Sequence, residues 1–156
     1  MRKLTILFAA LTLSVGLWAE TVEYRYPVYN DPQDVTKGIK EWKTGEVEAT
    51  EVTSSDTKVT WNAGWYVVKG DVTLSKGAVC KGAVNLILAD GAKLTATGMG
   101  EPDYTPGIQV SGTGNTLKIY GQTNQSGQLI ATGGEDAAGI GGGKDGSGTN
   151  ITINGG

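Results

Sequence analysis

Gly139-Ile-Gly-Gly142 and Asn150-Ile-Thr-Ile-Asn-Gly155 repeat, with substitutions, the earlier stretches Gly107-Ile-Gln-Val110 and Thr116-Leu-Lys-Ile-Tyr-Gly121. The strand-like ends align at an offset of 34 residues and the glycine-containing beginnings at an offset of 32. Repetition at a period of about thirty residues is typical of a solenoid, in which each repeat buries its apolar side chains against the next. These stretches therefore decide the predicted fold class.

A fainter copy of the same pattern lies upstream. Asn85–Gly91 matches Thr116–Gly121 at an offset of 31, and Lys93–Gly98 matches Gln128–Gly133 at an offset of 35. Within each repeat, apolar residues alternate with polar ones in three short segments, which is the pattern of strands with one buried face. Three such strands per repeat predict a three-sided parallel β-helix, with a tighter coil between residues 64 and 80.

Glycine marks the predicted corners of this β-helix. Fifteen of the 25 glycines lie in the last fifty residues, and sharp turns need the positive φ angles that glycine adopts without cost. A flexible linker is the alternative explanation of this composition. The regular alternation of Leu, Ile and Val disfavours it, because a linker has no reason to alternate.

The first residues have the composition of a secretory signal peptide. Met1-Arg-Lys3 is basic, residues 4–19 are uncharged, and Leu17-Trp-Ala19 forms an acceptable cleavage site before Glu20. A membrane anchor is disfavoured because a spanning helix needs about twenty apolar residues. We therefore predict a signal peptide over residues 1–19, an extracellular or cell-surface location, and no membrane span after cleavage.

Residues 20–60 differ in composition and are predicted to cap the first coil. Thr21–Tyr29 is predicted to be an edge strand, Asp34–Trp42 a loop or short turn, and Glu46–Val59 a pair of strands rich in Thr, Glu and Val. The β-helix coils follow over residues 61–156. The sequence given ends at Asn154-Gly-Gly156, the segment that would begin another coil. We therefore expect the chain either to be a fragment of a longer array or to self-associate edge to edge at its C-terminal coil.

Charge and cysteine content restrict the partners. The full chain has a net charge of −3, and without Arg2 and Lys3 it holds 11 basic and 16 acidic residues, a net charge of −5. This acidic balance disfavours nucleic acid and anionic membranes. The single cysteine, Cys80, cannot form an internal disulfide and is predicted to be a buried apolar residue.

Five segments carry a resemblance to a known group of proteins: Tyr24–Tyr29, Gly64–Leu74, Asn85–Gly91, Leu117–Gln122 and Ala137–Gly143. Together they resemble the secreted β-helix repeat proteins of gut-dwelling bacteria, in which the unit Ala-Gly-Ile-Gly-Gly-Gly…Ile-Thr-Ile-Asn-Gly-Gly recurs many times. The resemblance covers nearly the whole chain after residue 19. It implies a right-handed parallel β-helix with an adhesin-like, carbohydrate-binding role. This chain departs from the pattern in holding one Gly-Ile-Gly-Gly-Gly copy.

Catalysis is disfavoured by the residues available. The chain has no histidine, which excludes histidine-based triads, general bases and zinc sites. Glu101 with Asp103 and Glu135 with Asp136 occupy the longer loops about 34 residues apart, where adjacent coils could stack them as the facing carboxylates of a glycosidase. Solvated loop charges are the simpler explanation. The calcium β-roll pattern fails as well, because Ile140 and Ala131 occupy its glycine positions. We predict no enzymatic activity, metal or cofactor.

Exposed aromatic rings are the candidate ligand contacts, since they can pack against sugar rings. Tyr104 lies in a proline-flanked loop, Tyr120 alternates with the inward Leu117 and Ile119, and Trp65 is adjacent to Tyr66 on the opposite face of one strand. Trp61 is the fourth candidate, although Trp61 and Trp65 could instead seal the junction of cap and first coil.

The sequence thus predicts an all-β, right-handed parallel β-helix with an N-terminal β cap. Its predicted function is that of a secreted or cell-surface, non-enzymatic, adhesin-like module that binds glycan or a host surface protein. A fragment of a polysaccharide-degrading β-helix enzyme and a structural spacer are the alternatives.

Overall fold

The protein is all-β. A computed structural model describes residues 19–156, and the predicted signal peptide lies outside the described residues except for Ala19. The strands are β1 (Ala19–Tyr29), β2 (Ile39–Val52), β3 (Val59–Val68), β4 (Asp71–Leu74), β5 (Ala78–Leu88), β6 (Lys93–Thr97), β7 (Ile108–Gln109), β8 (Thr116–Gly121), β9 (Gln128–Thr132), β10 (Ile140–Gly141) and β11 (Ile151–Ile153). Within the described range the helical content is one 3-10 turn, Val35–Lys37, and no helix there has the length and hydrophobicity that crossing a membrane requires.

From β3 onward the strands pair in parallel and form three stacks. In the first stack, the beginnings of β3 and β5 are followed by β7 and β10. In the second stack, the ends of β3 and β5 are followed by β8 and β11. The third stack is β4, β6 and β9. Neighbouring strands in a stack therefore lie 19 to 22 residues apart in the first coil, as in Val59 with Ala78 and Asp71 with Lys93, and 30 to 35 residues apart in the later coils.

The predicted register is confirmed at three of the four matched positions. Ile108 pairs with Ile140, Leu117 with Ile151, and Leu94 with Leu129. These pairs reproduce the predicted offsets of 32, 34 and 35 residues. The repeated segments are thus similar in sequence because they form strands that pair in parallel with each other.

The fourth register was predicted wrongly by two residues. Leu86 was expected opposite Leu117, but Leu117 pairs with Val84 instead. A shift of two residues keeps the same side chains on the same face, so the apolar pattern cannot distinguish the two registers. Polar contacts distinguish them: Gly82 N donates to Asn115 Oδ1 over 2.7 Å, and Asp90 N donates to Gln122 Oε1 over 3.1 Å.

The side chains that face inward from the three stacks form one apolar core. Its fully buried members are aliphatic, as the period-two pattern predicts. They include Val68, Leu74, Val84, Leu86, Leu88, Leu94, Ile108, Val110, Leu117 and Ile119. Cys80 lies in the same core as predicted, and burial raises the pKa of its thiol to about 12. At that pKa the thiol is protonated at neutral pH, which makes it a packing residue.

The N-terminal residues form a long antiparallel hairpin, in which β1 pairs with β2 along its whole length. This corrects two expectations. The segment predicted as a loop over residues 34–42 contains the 3-10 turn but enters β2 at Ile39, and residues 46–52 belong to one strand instead of beginning a strand pair. The end of β2, Thr50–Val52, continues into the parallel sheet by pairing with Tyr66–Val68 of β3.

The hairpin covers the outer face of the second stack. Val67, Ile87 and Tyr120 are neighbours in register and form a second apolar cluster with Val22 and Ala49 of the hairpin. Since the residues alternating with them face the inner core, this part of the sheet is buried on both faces. β1 also contacts the loop after β8, where Gln122 Nε2 donates to the Glu23 backbone carbonyl over 3.0 Å and Thr123 Oγ1 donates to Glu23 Oε1 over 2.7 Å.

Tyr24 of β1 is the centre of this contact. Its ring centroid lies 4.6 Å from that of Trp65 and 5.2 Å from that of Tyr120. On its other side is Gly45 of β2, the residue directly opposite in the hairpin. A Cβ atom at position 45 would lie 2.8 Å from Tyr24 Cε1, so glycine leaves the space that the ring occupies.

We expect Gly45→Ala to destabilise the protein by about 1–3 kcal/mol, because the added methyl group forces the Tyr24 ring out of its packed position. In a Tyr24→Ala background the same substitution should carry no such cost, since the ring is gone and alanine suits a strand better than glycine. Urea unfolding of the four proteins of this double-mutant cycle measures the difference. An equal loss of stability in both backgrounds would contradict the assigned contact.

Candidate functional site

The four predicted ligand-contacting aromatics lie in three different environments. Trp61 is 2% exposed and belongs to the inner core. Trp65 and Tyr120 pack together under the hairpin, with ring centroids 5.2 Å apart. Tyr104 is half-buried and lines a surface cleft. The structure therefore does not bring the four residues into one site.

The expectation that Tyr120 presents its ring to solvent is wrong. Its side chain does point away from Leu117 and Ile119, but it is only 8% exposed because the β1–β2 hairpin covers it. Burial raises the pKa of the Tyr120 hydroxyl, and the neighbouring Tyr24 raises it further. The strand pattern predicted the direction of this side chain correctly, whereas the covering hairpin comes from about one hundred residues earlier.

The cleft beside Tyr104 has a volume of about 400 Å³ and combines residues from four parts of the chain. We call it the Tyr104 cleft. Its lining consists mainly of polar and charged side chains, which distinguishes it from the apolar surfaces described above. The lining residues are Lys58, Asp103, Tyr104, Thr105, Pro106, Gln109, Ser111, Gly143, Lys144 and Gly146.

Tyr104 adopts an unusual backbone conformation, with a φ angle of +43°. An aromatic residue in this region is a steric outlier that neighbouring structure must hold in place. Among residues 19–156, the other non-glycine residues with positive φ are polar or acidic: Gln125, Asp136, Asp145 and Asn150. An aromatic ring held at such a cost is the strongest local indication of a functional site.

Hydrogen bonds on both sides fix the backbone around Tyr104. Its N–H donates to the Gly100 carbonyl over 2.9 Å, and the N–H of Thr105 donates to the Met99 carbonyl over 2.7 Å. The Thr105 side chain is buried, and its hydroxyl oxygen accepts a hydrogen bond from Met99 N over 2.8 Å. The Tyr104 ring is thus presented by a preorganised loop.

Lys144, in the loop after β10, contacts Tyr104 through both its backbone and its side chain. Its backbone N–H lies 3.4 Å from the Tyr104 carbonyl oxygen, and its ammonium group lies 4.3 Å from the centroid of the Tyr104 ring. A cation at this distance from an aromatic face is attracted by the ring quadrupole. The preceding residue is Gly143, where a Cβ atom would lie 2.6 Å from the Tyr104 carbonyl oxygen, so glycine permits the close approach of the two loops.

A chain of neutral and cationic groups forms another part of the cleft. Lys58 Nζ lies 3.5 Å from Gln109 Oε1, and Gln109 Nε2 donates to Ser111 Oγ over 3.1 Å. Gln109 and Ser111 alternate with the fully buried Ile108 and Val110, so they face outward from the core. Amide, hydroxyl and ammonium groups in one cleft can donate and accept hydrogen bonds to a polar ligand.

Sequence reasoning identified Tyr104 but missed the residues that accompany it. The outward direction of Gln109 and Ser111 was readable from the alternation around Ile108 and Val110. Lys58 and Lys144 gave no such signal, because each lies in a loop whose path depends on the packing of neighbouring loops.

The acidic loop residues lie at the protein surface. Glu101, Asp103, Glu135 and Asp136 are all exposed. The two loops that carry them do contact each other, since Gly134 N donates to the Thr105 carbonyl over 2.9 Å. Within the part of the chain that the structure describes, no group of three or more potential metal ligands is found.

Two further cavities border the core, one with a lining rich in Thr and Ser and one with a mainly apolar lining. One, of about 420 Å³, lies at the beginning of the first stack next to Trp61 and Tyr66. The other, of about 580 Å³, lies at the last strands and is lined by Leu88, Ile119 and Ile153 among others. The Tyr104 cleft differs from both in its two lysines, Lys58 and Lys144.

No protein-family model, no curated protein and no solved structure matches this chain.

Replacing Tyr104 separates its role in the cleft from its role in folding. Tyr104→Gly removes the ring and relieves the positive φ angle, so we expect a free energy of unfolding within about 1 kcal/mol of the unmodified protein. Tyr104→Ala removes the ring but keeps a Cβ atom in the strained conformation, and should be less stable than Tyr104→Gly by about 1 kcal/mol. Urea unfolding of both variants checks the order. If the alanine variant is the more stable, the strain assigned to Tyr104 is absent.

Proposed function

We propose that the protein is a secreted or cell-surface, non-enzymatic module of adhesin-like character that binds carbohydrate at the Tyr104 cleft. We further propose that its fold is a right-handed parallel β-helix with an N-terminal β cap. The function is carried by one observation: an aromatic ring is held at positive φ beside a cleft of amide, hydroxyl and ammonium groups.

Three parallel stacks support the β-helix proposal. Strands in each stack pair with strands one predicted coil away, and their inward Leu, Ile and Val side chains share one core. Right-handed connection is the expected hand, because parallel strands joined by a crossover are almost always connected that way.

The composition of residues 1–19 supports secretion. A location outside the cell would bring the cleft into contact with glycans on surfaces or in the medium. The absence of histidine from the chain supports a binding role over the catalytic mechanisms that depend on it.

The composition of the cleft supports a saccharide as ligand. Sugar rings present an apolar C–H face and a rim of hydroxyl groups. The Tyr104 ring can pack against the former, and Gln109 and Ser111 can hydrogen-bond the latter.

Binding of the purified protein to a glycan array tests the proposal. We expect binding to a subset of glycans, and a loss of affinity of about fivefold or more in Tyr104→Gly, the scale of an interface residue worth at least 1 kcal/mol. Trp42→Ala is the matched control, because Trp42 is an exposed aromatic of β2 that does not line the cleft. Unchanged glycan binding by Tyr104→Gly would show that the Tyr104 cleft is not the binding site.

Two other results would replace the proposed function. Depolymerisation of a polysaccharide that disappears in the double variant Glu135→Gln, Asp136→Asn would make the chain part of a polysaccharide-degrading enzyme. An absence of both glycan binding and depolymerisation would leave a structural spacer.

We also propose that the last strands mediate edge-to-edge self-association with a second copy. Within residues 19–156, β9, β10 and β11 each have one side without a partner strand. Ile153 pairs with the buried Ile119 and so belongs to the inward face, yet it is 67% exposed. An unpaired apolar edge of this kind favours pairing with another chain.

Light scattering over a range of protein concentrations tests this self-association. We expect a concentration-dependent dimer that Ile153→Lys shifts to monomer, because a charge on the inward face is costly to bury. Thr152→Lys is the control on the same strand, since this residue faces the opposite way. A monomer at every concentration would contradict the proposal.

A further inference from the structure

We propose that the Tyr104 cleft selects saccharides that carry an anionic group, either a uronate carboxylate or a sulfate ester. The inference rests on the proposed carbohydrate-binding function and specifies its ligand class.

The charged groups of the cleft are unlike those of the rest of the protein. The whole chain has a net charge of −3, but the lining of the cleft contains two lysines, Lys58 and Lys144, and one carboxylate, Asp103. Asp136, outside the lining, pairs with Lys144, so the charge of Lys58 is the one in the cleft that most directly attracts an anion.

Lys58 contributes a positive charge that no carboxylate compensates within the described residues. Its ammonium group contacts Gln109 Oε1, a neutral acceptor, at 3.5 Å. The salt bridges of residues 19–156, taken to 4.0 Å, involve Lys37, Lys43, Lys69 and Lys144. Lys58 can therefore pair with a ligand anion without first breaking an internal ion pair.

Lys144 is held where its charge can be shared with a ligand. It lies 4.3 Å from the Tyr104 ring centroid and 3.6 Å from Asp136 Oδ2. Both side chains of this ion pair are exposed, and exposed pairs at such distances contribute little. An anion on a sugar ring packed against Tyr104 would compete with Asp136 for the Lys144 ammonium group.

The neutral part of the cleft explains why the anion should belong to a saccharide. Gln109 and Ser111 are joined by a 3.1 Å hydrogen bond and face outward from the core. They line the same cleft as the Tyr104 ring and supply hydrogen-bonding groups of the kind that sugar hydroxyls need. A free inorganic anion would make no use of the aromatic ring.

Two pairs of matched ligands test the inference by isothermal titration calorimetry. The first pair is a tetramer of galacturonic acid and its fully methyl-esterified form, which keeps the sugar backbone and removes the charge. The second is a sulfated galactan oligosaccharide and its desulfated form. We expect the charged member of at least one pair to bind about fivefold or more tightly, with the preference decreasing as sodium chloride is added. The pair with the larger preference identifies the anionic group.

Four variants of the protein connect this preference to the cleft. Lys58→Gln and Lys144→Gln should each reduce the preference for the charged ligand, and Lys144→Arg should retain it because the charge remains. Asp136→Asn should strengthen binding of the charged ligand about two- to fivefold, since it removes the competing carboxylate. Lys118→Gln is the control, because Lys118 is an exposed lysine of β8 that does not line the cleft.

The outcomes distinguish this inference from the function on which it rests. Equal affinity for the charged and neutral members of both pairs, with Tyr104→Gly abolishing all binding, would overturn the anionic preference and leave the carbohydrate site. A charge preference that Lys118→Gln reduces as much as Lys144→Gln would also overturn it, since the effect would then come from overall charge. Failure of every saccharide to bind would count against the carbohydrate site itself.

Discussion

Register between parallel strands is the constraint on which the rest of the structure depends. Every strand from β3 to β11 buries its inward side chains only if they meet the inward side chains of the strand above and below. A slip of one residue in any pair would exchange the core face for the solvent face along the whole strand. The three stacks, the outward direction of Gln109 and Ser111, and the outward face that receives the hairpin all follow from this alignment.

Sequence reasoning predicted this alignment where apolar residues and glycines recur together, and failed where only polar contacts distinguish neighbouring registers. The pairing of Leu117 with Ile151 was predicted correctly because the segments around them, residues 116–121 and 150–155, also match in sequence. The two-residue error at Leu86 arose because nothing in an alternating apolar pattern excludes it. The correct pairing depends on single side chains: Asn115 accepts from Gly82 N, and the Asp90 carboxylate accepts from Asn124 N over 3.0 Å. Such contacts become visible only when the path of each loop is known.

At the candidate site, too, sequence patterns predicted local features and failed where distant contacts decide. Period-two alternation gave the direction of the Tyr120 side chain, but direction alone does not establish exposure. Tyr120 points outward and is buried, because a hairpin distant in sequence lies over it. Tyr104 lies beside a cleft because loops from different repeats meet around it, and Gly143 permits that approach. Long-range packing thus decided which of the predicted aromatics can contact a ligand.

The covering hairpin also has a consequence for the order in which the protein folds. Tyr24 of the hairpin packs against Tyr120, and Glu23 and Arg25 contact Gln122 and Thr123 across 98 to 100 residues of sequence. We expect the docking of the hairpin onto the second stack to be a late step of folding, because contacts between residues this far apart offset the entropy of closing the chain only after both segments have formed.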